Sequence, residues 1–339
     1  MRATIKVIVF LGVCLFGSGL CVASDKRISI TGAVKSPVNI ALTSLEKIAS
    51  AEVQLNDIRT DGTFSGVFKF RGVPLRDLIE LACIEKKDTD FNKPIDMVVL
   101  VKNKAGQMVT LSWGELFYKN SGEIIVATSA CPIFPNKGIG HFKNKETYHD
   151  MMKTLNRDII FPRLIVSMDG YADRSIEAVT EIEVYDLHPD VPGKKSPDAY
   201  SEHVSIDGAV KNPVTIDKLP AQAFMAVTTH VVGEGRGYHG TCEYSGMSLR
   251  KIIMETQPEI GINTVFLVSA PDAYRALLSY GELFLNPHGE RIILADKKNG
   301  KPIAKNGKFV MILPDDLMAD RDVKAVKRIQ VISLEDRNR

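Results

Sequence analysis

Ile28-Ser29-Ile30-Thr31-Gly32-Ala33-Val34-Lys35-Ser36-Pro37-Val38-Asn39-Ile40 returns later in the chain as Val204-Ser205-Ile206-Asp207-Gly208-Ala209-Val210-Lys211-Asn212-Pro213-Val214-Thr215-Ile216. Three more pairs follow in the same order. Gly72-Val73-Pro74-Leu75-Arg76 answers Gly246-Met247-Ser248-Leu249-Arg250, and Leu111-Ser112-Trp113-Gly114-Glu115-Leu116-Phe117 answers Leu278-Ser279-Tyr280-Gly281-Glu282-Leu283-Phe284. Ala172-Asp173-Arg174 answers Ala319-Asp320-Arg321. Four ordered matches imply two copies of one unit, so function is to be sought in what each copy kept or lost. The expected layout is a first domain over 25–187, a linker over 188–202 and a second domain over 203–335. The offset between copies falls from 167 residues at Gly114/Gly281 to 147 at Asp173/Asp320. The first copy therefore carries an insertion of about 20 residues within 128–163.

Residues 1–24 read as a secretory signal. Arg2 and Lys6 precede an uncharged apolar run from Val7 to Leu20, and Cys21-Val22-Ala23 is a small-residue cleavage pattern before Ser24. The apolar run is short for a membrane span of roughly 20 residues. The expectation is a periplasmic or secreted protein with no membrane attachment after cleavage. The whole chain has 43 Lys and Arg against 41 Asp and Glu. Loss of Arg2 and Lys6 with the leader balances the charge, which gives no footprint for nucleic acid. Three cysteines remain, Cys83, Cys131 and Cys242. Cys83 follows Leu75, Leu78, Ile79 and Ala82 on one helical face and reads as a core thiol. Cys131 and Cys242 are able to pair in an oxidising compartment, and no C-x-x-C motif supports thioredoxin or haem chemistry.

Alternation predicts strands over 28–33, 51–58 and 66–70, and an apolar strand over 97–102. Helices are predicted over 74–85 and 145–157, with a short one near 113–118 and a hydroxyl-capped start at Thr43-Ser44-Leu45-Glu46. Strands dominate without steady βαβ alternation, so the fold class is α+β with mixed or barrel-like sheets.

This order of motifs resembles the molybdopterin-binding domain of the sulfite-oxidase family. The resemblance is carried by Gly32-Ala33-Val34 with Pro37, by Gly72-Val73-Pro74-Leu75, by Ile124 to Ala127 and by Thr180-Glu181-Ile182-Glu183-Val184. Their second-copy counterparts are Gly208 to Pro213, Gly246 to Leu249, Ile292 to Ala295 and Lys327 to Val331. It implies two tandem molybdopterin-binding-like domains. In that family a cysteine thiolate holds molybdenum. The matching stretches here, 55–63 and 229–238, contain no cysteine. The family therefore points to molybdopterin while the sequence argues against molybdenum, and the cofactor stays unknown. The expected role is a non-catalytic ligand-binding or assembly module. The alternative is a molybdopterin-dependent oxidoreductase with an atypical metal site.

Three features are candidate sites. The glycine-rich stretch from Gly233 to Gly240, with Arg236, His239 and nearby His230, reads as a ligand loop or as a plain hairpin. Arg321 and Lys324 match a basic segment that lies at the cofactor in the family, whereas Glu177 replaces the lysine in the first copy. Any anionic ligand is thus expected in the second copy. Cys131, His141 and His149 in the insertion form a candidate metal set, or are ordinary loop residues. Expected partners are a small anionic ligand or a redox protein. No G-x-S-x-G elbow or other hydrolase signature is present.

Overall fold

The computed structural model describes residues 26–335 apart from 88–89, 135–143, 194–198, 221–223, 234–236 and 306. The leader, His141 and Arg236 lie outside the described residues. The fold is α+β, rich in strands and poor in helix. The first half contains β1 (Arg27–Gly32), β2 (Val38–Ala41), β3 (Ala51–Ile58), β4 (Phe64–Pro74), β5 (Met97–Asn103), β6 (Met108–Ser112), β7 (Ile124–Pro132), β8 (Arg163–Val166) and β9 (Val179–Asp186). The second contains β10 (Val204–Gly208), β11 (Val214–Ile216), β12 (Phe224–Gly233), β13 (Gly237–Ser248), β14 (Thr264–Ser269), β15 (Arg275–Ser279), β16 (Ile293–Lys298), β17 (Lys301–Pro302), β18 (Val310–Ile312) and β19 (Arg328–Ser333). The helices are short: α1 (Leu42–Leu45), α2 (Leu75–Leu81), α3 (Trp113–Phe117), α4 (Lys145–Leu155) and α5 (Leu249–Glu255).

One mixed sheet runs β2-β1-β9-β5-β6 and another runs β11-β10-β19-β14-β15, the same order in each half. In each, the first strand pairs parallel with the last, and the other ladders are antiparallel. Gly32 and Gly208 explain their own repetition. Each has positive φ, +91° and +96°, and an added Cβ would lie 2.1 Å from the carbonyl oxygen of Val184 or Val331. Only glycine allows the first strand to turn away so close to the last.

A second antiparallel sheet completes each half, β3-β4-β7-β8 in the first and β12-β13-β16-β18 in the second, with β17 added beside β16. Bulges fall at matching places, between Arg71 and Gly72 and between Ser245 and Gly246. Each half has its main apolar core between its sheets and its helix α2 or α5. A further cluster joins Val98, Leu100 and Met108 to Val265, Leu267 and Leu277, where the five-stranded sheets of the two halves meet.

The structure departs from the sequence reading at α2. This helix ends at Leu81, and Cys83 follows in a left-handed turn with φ 52°, exposed rather than in the core. The apolar face of the helix is satisfied by Leu75, Leu78 and Ile79 alone. Helix α1 is a single turn from Leu42 without a side-chain cap at its start. In the insertion, α4 begins at Lys145 with the Asn144 side chain accepting from the Glu146 N–H.

Candidate functional site

Two of the four repeated motifs, 111–117 with 278–284 and 172–174 with 319–321, converge on the junction between the halves. Ser112 caps α3, accepting from the Glu115 N–H at 3.0 Å, while Glu115 returns a bond to the Ser112 N–H at 2.7 Å. This is a capping box. The Glu115 carboxylate then accepts from Arg174, which also forks onto Asp169 at 2.8 Å. Arg321 does the same in the second half, binding Glu282 at 2.8 Å and Asp316 at 2.7 Å. Both arginines are 0% exposed.

Each arginine lies against the glycine of the opposite half. A Cβ on Gly281 would fall 1.9 Å from the Arg174 guanidinium carbon, and one on Gly114 would fall 2.1 Å from that of Arg321. Arg174 also reaches the Ser279 hydroxyl, and the Ser112 hydroxyl donates to Glu282. Two backbone bonds of 2.8 Å repeat the exchange, from the Gly170 N–H to the Leu285 carbonyl and from the Leu317 N–H to the Tyr118 carbonyl. Burial disfavours the charged arginines, yet the paired carboxylates overcome it and hold both guanidinium groups above their usual range.

Arg321 therefore cannot meet a ligand as the sequence reading expected. Its N–H groups face internal carboxylates, and no solvent reaches it. Arg321 serves the junction, whereas Lys324, three residues on, lines the cavity described below.

The open space is in the second half. A cavity of about 730 Å³ lies among β13, β16, β17, β18 and the turn at Ala319 to Lys324. Cys242, Tyr244, Val310, Asp322 and Lys324 line it. Strand register and repeat offset pair these positions with Phe68, Phe70, Arg163, Ser175 and Glu177 of the first half. There the corresponding space is filled. Phe68 and Phe70 are buried, Arg163 lies over the Phe70 ring at 5.1 Å, and Arg157, just beyond α4, covers Phe68 at 5.6 Å. Asp57 holds both arginines at 2.8 and 2.9 Å, and Arg157 also binds Glu177 at 2.7 Å. Burial pulls the Arg163 guanidinium below its ordinary range, while Asp57 and Glu177, at 2.8 and 3.5 Å, oppose that shift. Replacing Asp57 with Ala should cost about 3 kcal/mol, because it leaves buried Arg163 with only the longer 3.5 Å pair to Glu177. Urea unfolding of the two proteins measures the difference.

Four lysines reach the cavity. Lys298 and Lys305 come from the β16–β17 region, Lys324 follows Asp322, and Lys93 enters from the first half. Lys93 binds Asp320 at 3.1 Å and the Tyr274 hydroxyl at 3.2 Å. The Tyr274 hydroxyl donates to the Asp320 carbonyl. Lys298 sits against the Tyr244 hydroxyl and the Cys242 thiol, and both raise it despite burial. Asp322 is pushed up to about 8, chiefly by burial, although the Leu313 N–H bonds its Oδ1 at 2.9 Å. Among the described lining residues, four lysines stand with three aspartates, Asp272, Asp320 and Asp322.

The remaining candidates divide. His239 lines the cavity and bonds the Gly233 carbonyl at 3.0 Å. His230 is exposed on β12 and bonds the Thr241 hydroxyl. It is not among the cavity-lining residues. Cys131 is exposed at the end of β7, and His149 lies on α4 against the Tyr148 ring. Among the described residues no three His, Cys, Asp or Glu side chains gather as a metal-binding group. Cys131 and Cys242 are both free thiols.

The donor set does not fit a sulfite-oxidase-type metal centre. The stretches that match the family's metal loop, 55–63 and 229–238, contain no sulfur ligand, and Arg321 is sealed in the junction. Cys242 is the single sulfur among the cavity-lining residues, and it stands on strand β13.

No family model and no curated protein matches this chain. Among solved structures, the sulfane dehydrogenase SoxCD from Paracoccus pantotrophus is similar at a TM-score of 0.33 and 12% identity. That match covers 89% of this chain and 78% of the other.

Proposed function

We propose that this protein is an exported tandem module, built from two sulfite-oxidase-like units, whose second half binds a small anionic ligand and whose first half is a closed structural partner. The observation that carries the reading is the exchange of Phe68, Phe70 and Arg163 for Cys242, Tyr244 and Val310, which replaces a filled site by a cavity. The four lysines at the cavity motivate the choice of an anion. The repeated motifs support a non-catalytic first half, since their side chains are spent on capping and on the junction.

Sulfate is a suitable probe. In calorimetric titration it should bind the whole protein, and replacing Lys298 and Lys324 together with Met should weaken binding about tenfold or more. Sulfate affinity unchanged by that double variant would sink the reading. Export has its own check. N-terminal sequencing of protein from its native host should begin near Ser24, whereas a retained Met1 in the membrane fraction contradicts it.

A second reading is a periplasmic oxidoreductase holding molybdopterin at an atypical metal site, served by a redox partner. Cys242 favours it, because its sulfur lines the cavity. About one molybdenum per chain in natively purified protein, lost in Cys242→Ser, is the result that would select it over the first.

A further inference from the structure

The first half shows what fills this space when the chain supplies the filling itself. Helix α4 packs on β4 with Leu155 buried. Arg157, just beyond the helix, bonds the Ser65 carbonyl at 3.1 Å and lies over the Phe68 ring. A Cβ added at Gly66 would meet that ring at 2.6 Å and the Leu155 side chain at 3.5 Å, so helix, ring and strand close together. The filling is thus an apolar body with a cationic tip, and Asp57 and Glu177 hold the tip at 2.9 and 2.7 Å.

The second half lacks this filling and inverts the charge that held it. The chain runs from 133 to 162 between β7 and β8, but only from 299 to 309 between β16 and β18, with no helix among the described residues there. Cys242 stands in place of Phe68, and the acids Asp57 and Glu177 are replaced by Val231 and Lys324. An occupant with an apolar body still fits, but its tip now meets a lysine where the first half has an acid.

The walls are ordered in the same way. Ile312, Val310 and Tyr244, 1%, 6% and 7% exposed, belong to one apolar cluster, with Ile303 packed beside them. All four line the cavity. The lysines stand further out: Lys93 is half-buried, and Lys298, Lys305 and Lys324 are exposed. Each of the three aspartates accepts from the protein, Asp272 from the Tyr274 N–H, Asp320 from Lys93 and Asp322 from the Leu313 N–H. A volume of about 730 Å³ suits an organic ligand and is far more room than sulfate takes. Hydrocarbon placed on this floor removes both apolar surfaces from water, which a bare inorganic anion cannot do.

We propose that the ligand of this cavity is an amphipathic organic anion, with a hydrocarbon body on Tyr244, Val310 and Ile312 and one anionic head at Lys298 and Lys324. The inference rests on the anion-binding reading above and adds a body to the charge.

The test uses the whole protein and sulfonates, whose heads stay ionised across the neutral range. In calorimetric titration, 2-naphthalenesulfonate should bind about thirtyfold or more tighter than methanesulfonate. Its binding should show a negative heat-capacity change that methanesulfonate lacks. The neutral 2-naphthalenemethanol should bind about tenfold or more weaker than 2-naphthalenesulfonate. Val231→Ser combined with Ile303→Ser should remove most of the naphthyl advantage and leave methanesulfonate affinity unchanged. Both positions are half-buried at the wall, so the fold should persist. Ile303→Ser alone, just after β17, should shift the ratio in the same direction. Lys298→Met with Lys324→Met should weaken both sulfonates. Equal affinity for the two sulfonates, or a naphthyl advantage that survives both serine variants, overturns the amphipathic ligand and leaves the anion site standing. Naphthalenemethanol binding as tightly as the sulfonate overturns the anionic head. No binding of either sulfonate or of sulfate overturns the anion site itself.

Discussion

Arg321→Met should lose about 3–5 kcal/mol of stability, and Arg174→Met should lose a similar amount. Each replacement removes one cation from between two buried carboxylates, Glu282 and Asp316 or Glu115 and Asp169. The carboxylates then face each other in a medium that solvates charge poorly. Gly114→Ala and Gly281→Ala reach the same machinery from the other side. The new methyl group would occupy the position of the opposing guanidinium, and the arginine would have to leave its partners to make room. Equilibrium denaturation should place all four variants well below wild type. A loss under about 1 kcal/mol for Arg321→Met would contradict the junction role, because surface ion pairs cost no more than that.

The opposite result is expected at the cavity. Cys242→Phe copies Phe68 of the first half into the equivalent strand position and should reduce sulfate binding by about tenfold or more, with the fold retained. The ring would project into existing space and bury apolar surface, so stability should not fall as it does after overpacking a filled core. Adding Val310→Arg carries the imitation further, but without Asp57 the second half has Val231 at the matching position and cannot neutralise the new guanidinium. The double variant should therefore lose stability while the single one does not. Calorimetric titration and thermal melts of both variants check the pair of statements. Undiminished sulfate binding by a folded Cys242→Phe protein would place the anion elsewhere.

The strands at 28–33, 51–58 and 66–70 were readable in the sequence because their faces differ in burial, which writes itself as alternation. The strand at 51–58 and the helix starting at 145 lie where the pattern puts them. What the four repeated motifs do was not readable. Letters that recur suggest a shared ligand site. Here Gly32 and Gly208 permit a close strand approach, and Arg76 and Arg250 lie over Phe117 and Phe284 at 5.1 and 5.3 Å. The other two motifs build the junction. A partner drawn from the opposite half leaves no trace in local spacing, so Arg321 read as a ligand group. The cavity was equally hidden. It depends on a few side chains across strands far apart in sequence, and only strand register shows that Cys242 stands where Phe68 does. Lys324 against Glu177 was a difference that the sequence exposed, and Lys324 lines the cavity. Cys83 misled because the helical period continues past the point where the backbone turns.

The position of β9 and β19 bears on how the chain reaches this state. Each is the central strand of its five-stranded sheet and also the last strand of its half to be synthesised. Until residues 179–186 leave the ribosome, β1 with β2 and β5 with β6 are two separate hairpins whose inner edges have nothing to pair with. The loop closed when β9 inserts spans about 150 residues, the separation of Ser29 from Thr180. Closing so long a loop makes for slow assembly with unpaired edges exposed meanwhile. The second half repeats the wait with β19. The reading order of the gene thus delays both sheets to their final strand.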